Sequence, residues 1–164
     1  MIKQLTAKID GRNMDNNEIV ESILENRKID NITHFLNPNV EDMFPLNALK
    51  GVDEACDIIN NYVDANGKFL VYFDVDSDGV GSGAIMTRYL RTMGANVDTY
   101  IGYGKAHGLK SLPLDKLDGI DVLIIVDSID TDPRLYERIL DKDIIIIVLD
   151  HHIIPQSLID ANVD

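Results

Sequence analysis

Three short stretches hold most of the groups capable of chemistry. They are Asp74-Val75-Asp76-Ser77-Asp78-Gly79, Asp127-Ser128 and Asp150-His151-His152. Carboxylate and imidazole ligands without a thiolate suit Mn2+ or Mg2+, and imidazole moves the choice toward Mn2+. Several carboxylates around two histidines have room for a pair of ions, the usual device for in-line attack on a phosphodiester. Without a cation such acids raise one another's pKa and destabilise the fold. The cluster therefore implies a metal, provided that the fold brings the stretches together.

The hydrophobic pattern supplies that fold. Short apolar runs predict strands at 68–73, 97–101, 122–126 and 144–149. Helical spacing predicts helices over 16–28, 32–36, 51–66 and 82–93, with a short one at 113–117. Asp132-Pro133 opens another that runs to 140, with Asp as N-cap and Pro in the first turn. Strand–helix alternation predicts an α/β domain: a doubly wound, mostly parallel sheet with helices on both faces. The run Ile144-Ile145-Ile146-Ile147-Val148-Leu149 predicts a strand in the middle of that sheet. Residues 1–50 read as a helical N-terminal arm packed on the domain of 51–164. Parallel strands end on one shared edge, where ligands bind. Three of the four predicted strands run directly into the acidic stretches.

Other readings of the same residues are weaker. Any one of these aspartates alone would read as a cap or turn residue. Asp-x-Asp-x-Asp-Gly also opens an EF-hand, but the twelfth position, which needs a bidentate Glu, is Ile85. Gly79-Val80-Gly81-Ser82-Gly83-Ala84, with Asp98 beyond, fits a dinucleotide fingerprint. Asp76 and Asp78 would then face a pyrophosphate with no cation between them. The glycines fit better as a tight strand-to-helix turn. Backbone N–H groups there, around Gly81 and Ser82, could receive a phosphate oxygen.

Composition narrows the field. The 164 residues carry 15 Lys+Arg against 28 Asp+Glu, a net charge of −13, so coating of nucleic acid by a basic face is excluded. The 45% hydrophobic and 26% charged fractions exclude wholesale disorder. No apolar run reaches the ~20 residues of a membrane span. Met1-Ile2-Lys3-Gln4-Leu5 shows no signal core, and Cys56 is alone. The expectation is a cytoplasmic protein with no membrane partner.

Phe73-Asp74-Val75-Asp76-Ser77-Asp78-Gly79, Val126-Asp127-Ser128 and Asp150-His151-His152 together resemble the motifs of the DHH phosphoesterases. Upstream, Phe35-Leu36-Asn37-Pro38 with Asp42 and Pro45, then Ala55 and Ile59, resembles the arm of the RecJ-like single-strand-specific DNA exonucleases. The resemblance implies a Mn2+- or Mg2+-dependent phosphodiesterase, with two ions, degrading single-stranded DNA from the 5′ end by metal-activated water. It implies metal ligation by Asp76, Asp78, Asp127 and His151, with Asp74 a ligand or a supporting acid. Asp127 would bridge the ions, Asp150 would orient a histidine, and His152 would contact the scissile phosphate.

In Gly102-Tyr103-Gly104-Lys105-Ala106-His107-Gly108-Leu109, Gly102 stands where the family's Arg aligns and His107 where a Tyr would be. Lys105, His107 or Lys110 could take over substrate phosphate. The family's further Asp ligand and its substrate-gripping second domain lie beyond the triplet. Here they are expected from a C-terminal domain or a partner chain. Two alternatives remain at this point. One is a catalytically weak RecJ-like scaffold module in a replication or recombination complex. The other is an oligoribonuclease or cyclic-dinucleotide phosphodiesterase acting on short oligonucleotides.

Overall fold

The computed structural model describes residues 15–103 and 108–161. The chain divides into two compact units, Met1–Leu49 and Lys50–Asp164. In the first, helix α1 (Asn16–Asn26) starts at a capping box: the Asp15 carboxylate accepts the Glu18 N–H, and Glu18 accepts the Asp15 N–H. Helix α2 (Ile32–Leu36) is capped by Asn31. His34 pairs with Asp42 at 2.6 Å across the Asn37-Pro38-Asn39 break.

The second unit is a four-stranded sheet in the order β2-β1-β3-β4. Its strands are β1 (Lys68–Phe73), β2 (Asn96–Ile101), β3 (Val122–Val126) and β4 (Ile145–Leu149), and every pairing is parallel. Alternate residues point to opposite faces. Phe69, Val71, Val122, Ile124, Val126 and Ile147 pack with Ile59 of helix α3 (Val52–Asp64) and Leu90 of helix α4 (Ser77–Thr92). On the other face Leu70, Tyr72, Leu123 and Ile125 pack with Tyr136 and Ile139 of helix α5 (Pro133–Leu140) and Leu158 of helix α6 (Gln156–Asp160). The doubly wound α/β expectation is met. The expected start of α5, at Asp132 and Pro133, is met as well, and the Asp132 carboxylate accepts the Arg134 N–H.

Two expectations fail. Ile145–Leu149 is an edge strand, not a middle one: Val148 and Leu149 remain 36% and 40% exposed, whereas all five residues of β3 are buried. Both runs are apolar throughout, and composition does not say which has neighbours on two sides. Helix α4 also begins at Ser77 rather than at 82. Asp76 is its N-cap, accepting the Gly79 N–H at 3.1 Å, so Gly79, Gly81 and Gly83 lie inside the first two turns. Close approach, not a turn, requires two of these glycines. A Cβ on Gly79 would sit 2.7 Å from the Asp74 carbonyl oxygen, and one on Gly83 would run into the Phe73 ring. A helix thus seated on the end of β1 holds its first turn beside the strand ends.

Candidate metal centre

The sheet order reverses between β1 and β3, which places a crevice at their C-terminal ends. Phe73 pairs with Val126 and Val126 with Leu149. The residues that follow, Asp74, Asp127 and Asp150, therefore leave the sheet at one level. The first turn of α4 adds Asp76 and Asp78.

Two sets of potential ligand atoms result. Asp127, Asp150, His151 and His152 form one, and Asp76, Asp78 and Asp127 form the other, with the atoms of each set within 4.8 Å of one another. Asp127 belongs to both. It sits at φ +54°, in the left-handed region that costs a side chain energy, and its N–H donates to the Leu149 carbonyl at 2.9 Å. Its residue is 6% exposed, and its buried Oδ1 has no hydrogen-bond partner among the described residues. His151 Nε2 lies 3.4 Å and His152 Nδ1 3.8 Å from that oxygen, which are electrostatic contacts rather than hydrogen bonds. Burial pushes the Asp127 carboxyl up from the usual carboxylate range, and the charges of Asp78, Asp76 and Asp150 add to the rise. An orphaned buried oxygen among further carboxylates and imidazoles matches the oxygen-and-nitrogen donor set of Mn2+ or Mg2+. The residues present fit a divalent ion.

Asp150 has another task. Its Oδ2 accepts the Ile129 N–H at 2.7 Å, and its Oδ1 accepts the His152 N–H at 2.8 Å and meets His152 Nδ1 at 2.6 Å. Burial opposes ionisation of Asp150, but these N–H groups and the ring outweigh it and hold the carboxyl below its usual range. The hydrogen bond to Asp150 in turn raises the His152 imidazole above its ordinary value. NMR titration of the His152 ring should therefore show a midpoint above about 6.5, and Asp150→Asn should bring it down. Equal midpoints in the two proteins would contradict the pairing. A ring fixed at Nδ1 has a set orientation, as outer carboxylates set it for metal-bound and catalytic histidines.

The other expected residues fall less simply. Asp74 is buried at the end of β1, accepts the Val75 N–H at 2.7 Å, and belongs to neither ligand set. Gly81 and Ser82 lie in the second turn of α4, where backbone N–H groups are consumed within the helix, so the phosphate-receiving turn expected there is absent. The Ser82 hydroxyl donates to the carbonyls of Asp78 and Gly79 at 2.6 and 3.2 Å. Ser82 lines a cleft of about 430 Å3 together with Asp78, Asp127, Asp150 and His151 and with the apolar Ile85, Met86, Val126 and Leu149. Lys105 and His107 lie outside the described residues. At Gly102 a Cβ would meet the Tyr72 hydroxyl at 2.7 Å, so this chain closes that position to the aligned Arg. Ser128, read only as part of its motif and given no role, and Asp130, which sequence reading passed over, are both 1% exposed neighbours of the site. The one signal for Asp130 is its place just past a strand end that already carries Asp127.

A parallel α/β domain with an acid-and-imidazole cluster at its topological switch point is the class defined by this fold and site. The description "DHH family, N-terminal domain" matches residues 68–164. The chain belongs to the DHH family. It is 30% identical over 146 residues to YorK of Bacillus subtilis (strain 168), which derives from the SPbeta prophage, covering 87% of this chain and 25% of YorK. It is 26% identical over 159 residues to the single-stranded-DNA-specific exonuclease RecJ of Haemophilus influenzae, covering 93% of this chain and 27% of that one. The crystal structure of RecJ in complex with Mn2+ from Thermus thermophilus superposes with a TM-score of 0.58 at 28% identity, over 73% of this chain and 17% of that one. The chain spans about a quarter of the length of these curated relatives. Among the described residues no helix is long and apolar enough to cross a membrane.

Proposed function

We propose that this chain is the metal-binding part of a phosphodiesterase that hydrolyses single-stranded DNA from the 5′ end. The observation that carries it is Asp127, which belongs to both sets of potential ligands and has a buried Oδ1 without a hydrogen-bond partner among the described residues. Asp76, Asp78, Asp127 and His151 would hold divalent metal, Mn2+ or Mg2+, Asp127 being common to both sets of potential ligands. Asp74 supports them from the end of β1. When bound, the metal supplies an acidified water as nucleophile and neutralises charge on the phosphate. His152, oriented through Nδ1 by Asp150, contacts the scissile phosphate. Ser82 lines the cleft beside the substrate, Gly81 offers open surface on the same helix, and Lys105 and His107 add phosphate contacts.

The single-stranded-DNA substrate comes from the relatives named for it, and the 5′ polarity from the resemblance to the RecJ-like exonucleases. Residues 1–50 act as a helical arm and 51–164 as the DHH domain. A C-terminal domain or a partner chain supplies the grip on the strand.

The test is release of nucleotides from a 5′-phosphorylated single strand with Mn2+, set against a duplex, a 3′-labelled strand and a dinucleotide. Mn2+-dependent release from the 5′ end of the long strand is the expected result. Preference for the dinucleotide would reassign the substrate to short oligonucleotides. Mn2+ binding without turnover, alone or with the complementing domain, would make the chain a scaffold.

A further inference from the structure

We infer that Asp130, three residues past Asp127, is a positioning residue that holds the Asp127 carboxylate toward the metal centre. The inference rests on the metal reading proposed above. A left-handed aspartate at a strand end is strained and persists only where its surroundings over-determine it. At Asp127 those surroundings are the residues that follow. Asp130 is a fully buried carboxyl with no cation paired to it among the described residues. Its Oδ2 accepts the Leu109 N–H at 2.8 Å, and its Oδ1 accepts the Asp132 N–H at 2.9 Å. Its own N–H donates to the Tyr136 hydroxyl at 2.8 Å.

One side chain therefore ties the exit of β3 to the short turn at Leu109–Ser111 and to the approach to α5. Ser128 makes a second tie to the same turn, its hydroxyl accepting the Gly108 N–H at 3.2 Å. Gly108, at φ +106°, leaves room for the arrangement, because a Cβ there would collide with the Asp130 carboxyl. Between these anchors the Ile129 N–H meets Asp150, the acid that orients His152. The backbone from Asp127 to Asp130 thus has its direction set at both ends, and with it the aim of Oδ1.

Both Asp130 oxygens accept from N–H groups, so an amide cannot replace the carboxyl. Asp130→Asn would turn an NH2 toward one of the two donors and release that anchor. Mn2+ affinity is measured from the EPR signal of free Mn2+, well below the melting temperature, for wild type, Asp130→Asn and Tyr136→Phe. Ile59→Val, on the opposite face of the sheet, serves as a control for general destabilisation. The expected result is Mn2+ binding weakened about tenfold or more in Asp130→Asn, less in Tyr136→Phe, and unchanged in Ile59→Val. If Asp130→Asn does not fold, Tyr136→Phe decides: weaker binding supports the role and equal binding overturns it. Wild-type affinity in a folded Asp130→Asn overturns it as well. A wild type that binds no Mn2+ overturns the metal reading and this inference with it. Binding by wild type and Asp130→Asn alike overturns this inference alone.

Discussion

Asp127→Asn should lower Mn2+-dependent hydrolysis by on the order of a thousandfold or more, and yet raise the melting temperature of the metal-free protein. The two effects share one cause. Asp127 is buried near the charges of Asp76, Asp78 and Asp150, with an oxygen that has no hydrogen-bond partner among the described residues. Burial first, and then those charges, raise its pKa in the folded state. Between the unfolded and the raised value the native state binds more protons than the unfolded chain, so stability falls as pH rises through that window. The deficit persists at neutral pH whenever no cation offsets it. An amide carries no charge and removes it, but an amide is a poor metal ligand and bridges nothing.

Thermal melts in chelator at pH 7 should therefore place Asp127→Asn above wild type. The gap should close as pH falls from the folded-state value toward the unfolded one, where residue 127 is uncharged in both proteins. Turnover of the variant within about tenfold of wild type would remove Asp127 from the centre of the mechanism.

Mn2+ itself should stabilise the wild type strongly. A ligand that binds only the folded state, at a hundred times its dissociation constant, contributes about 2.7 kcal/mol. For a chain of 164 residues that corresponds to a rise of about 5–10 °C in Tm. Asp76→Ala and Asp78→Ala should each lose most of the rise. Asp76→Ala should also melt lower without metal, because it removes the cap on the Gly79 N–H. The Mn2+-induced shift, not the absolute Tm, is thus the quantity to compare. A wild type whose Tm ignores millimolar Mn2+, or an Asp78→Ala that responds as fully as wild type, would argue against metal at this cluster.

Much of this centre is legible before folding. Strands over 68–73 and 122–126 are readable because a short apolar run ending in Asp has few other meanings once it recurs down the chain. Asp132-Pro133 marks a helix start by local chemistry alone. The start of α4 is not readable in this way. Asp76, Ser77 and Asp78 look like loop residues, and three glycines look like a turn. Only the nearness of Phe73 and the Asp74 carbonyl shows that glycine is there to let a helix touch a strand. Ser128 and Asp130 are equally silent, because a buried hydroxyl or carboxyl has meaning only through partners some 20 residues away along the chain.

The sequence by itself determined the element types, the parallel α/β class and the placing of acids and imidazoles just past strand ends. Those properties follow from local periodicity and local polarity. The tertiary structure decided which strand lies at an edge, since equally apolar runs can have one neighbour or two. It decided the left-handed backbone at Asp127, the residue in both ligand sets, which no residue pattern announces. It also decided which carboxylates remain available for a metal. Asp150 and Asp130 are occupied by N–H groups, and the Oδ1 of Asp127 is not. Ligand chemistry is a property of residue type, but availability is a property of neighbours, and neighbours exist only once the chain has folded.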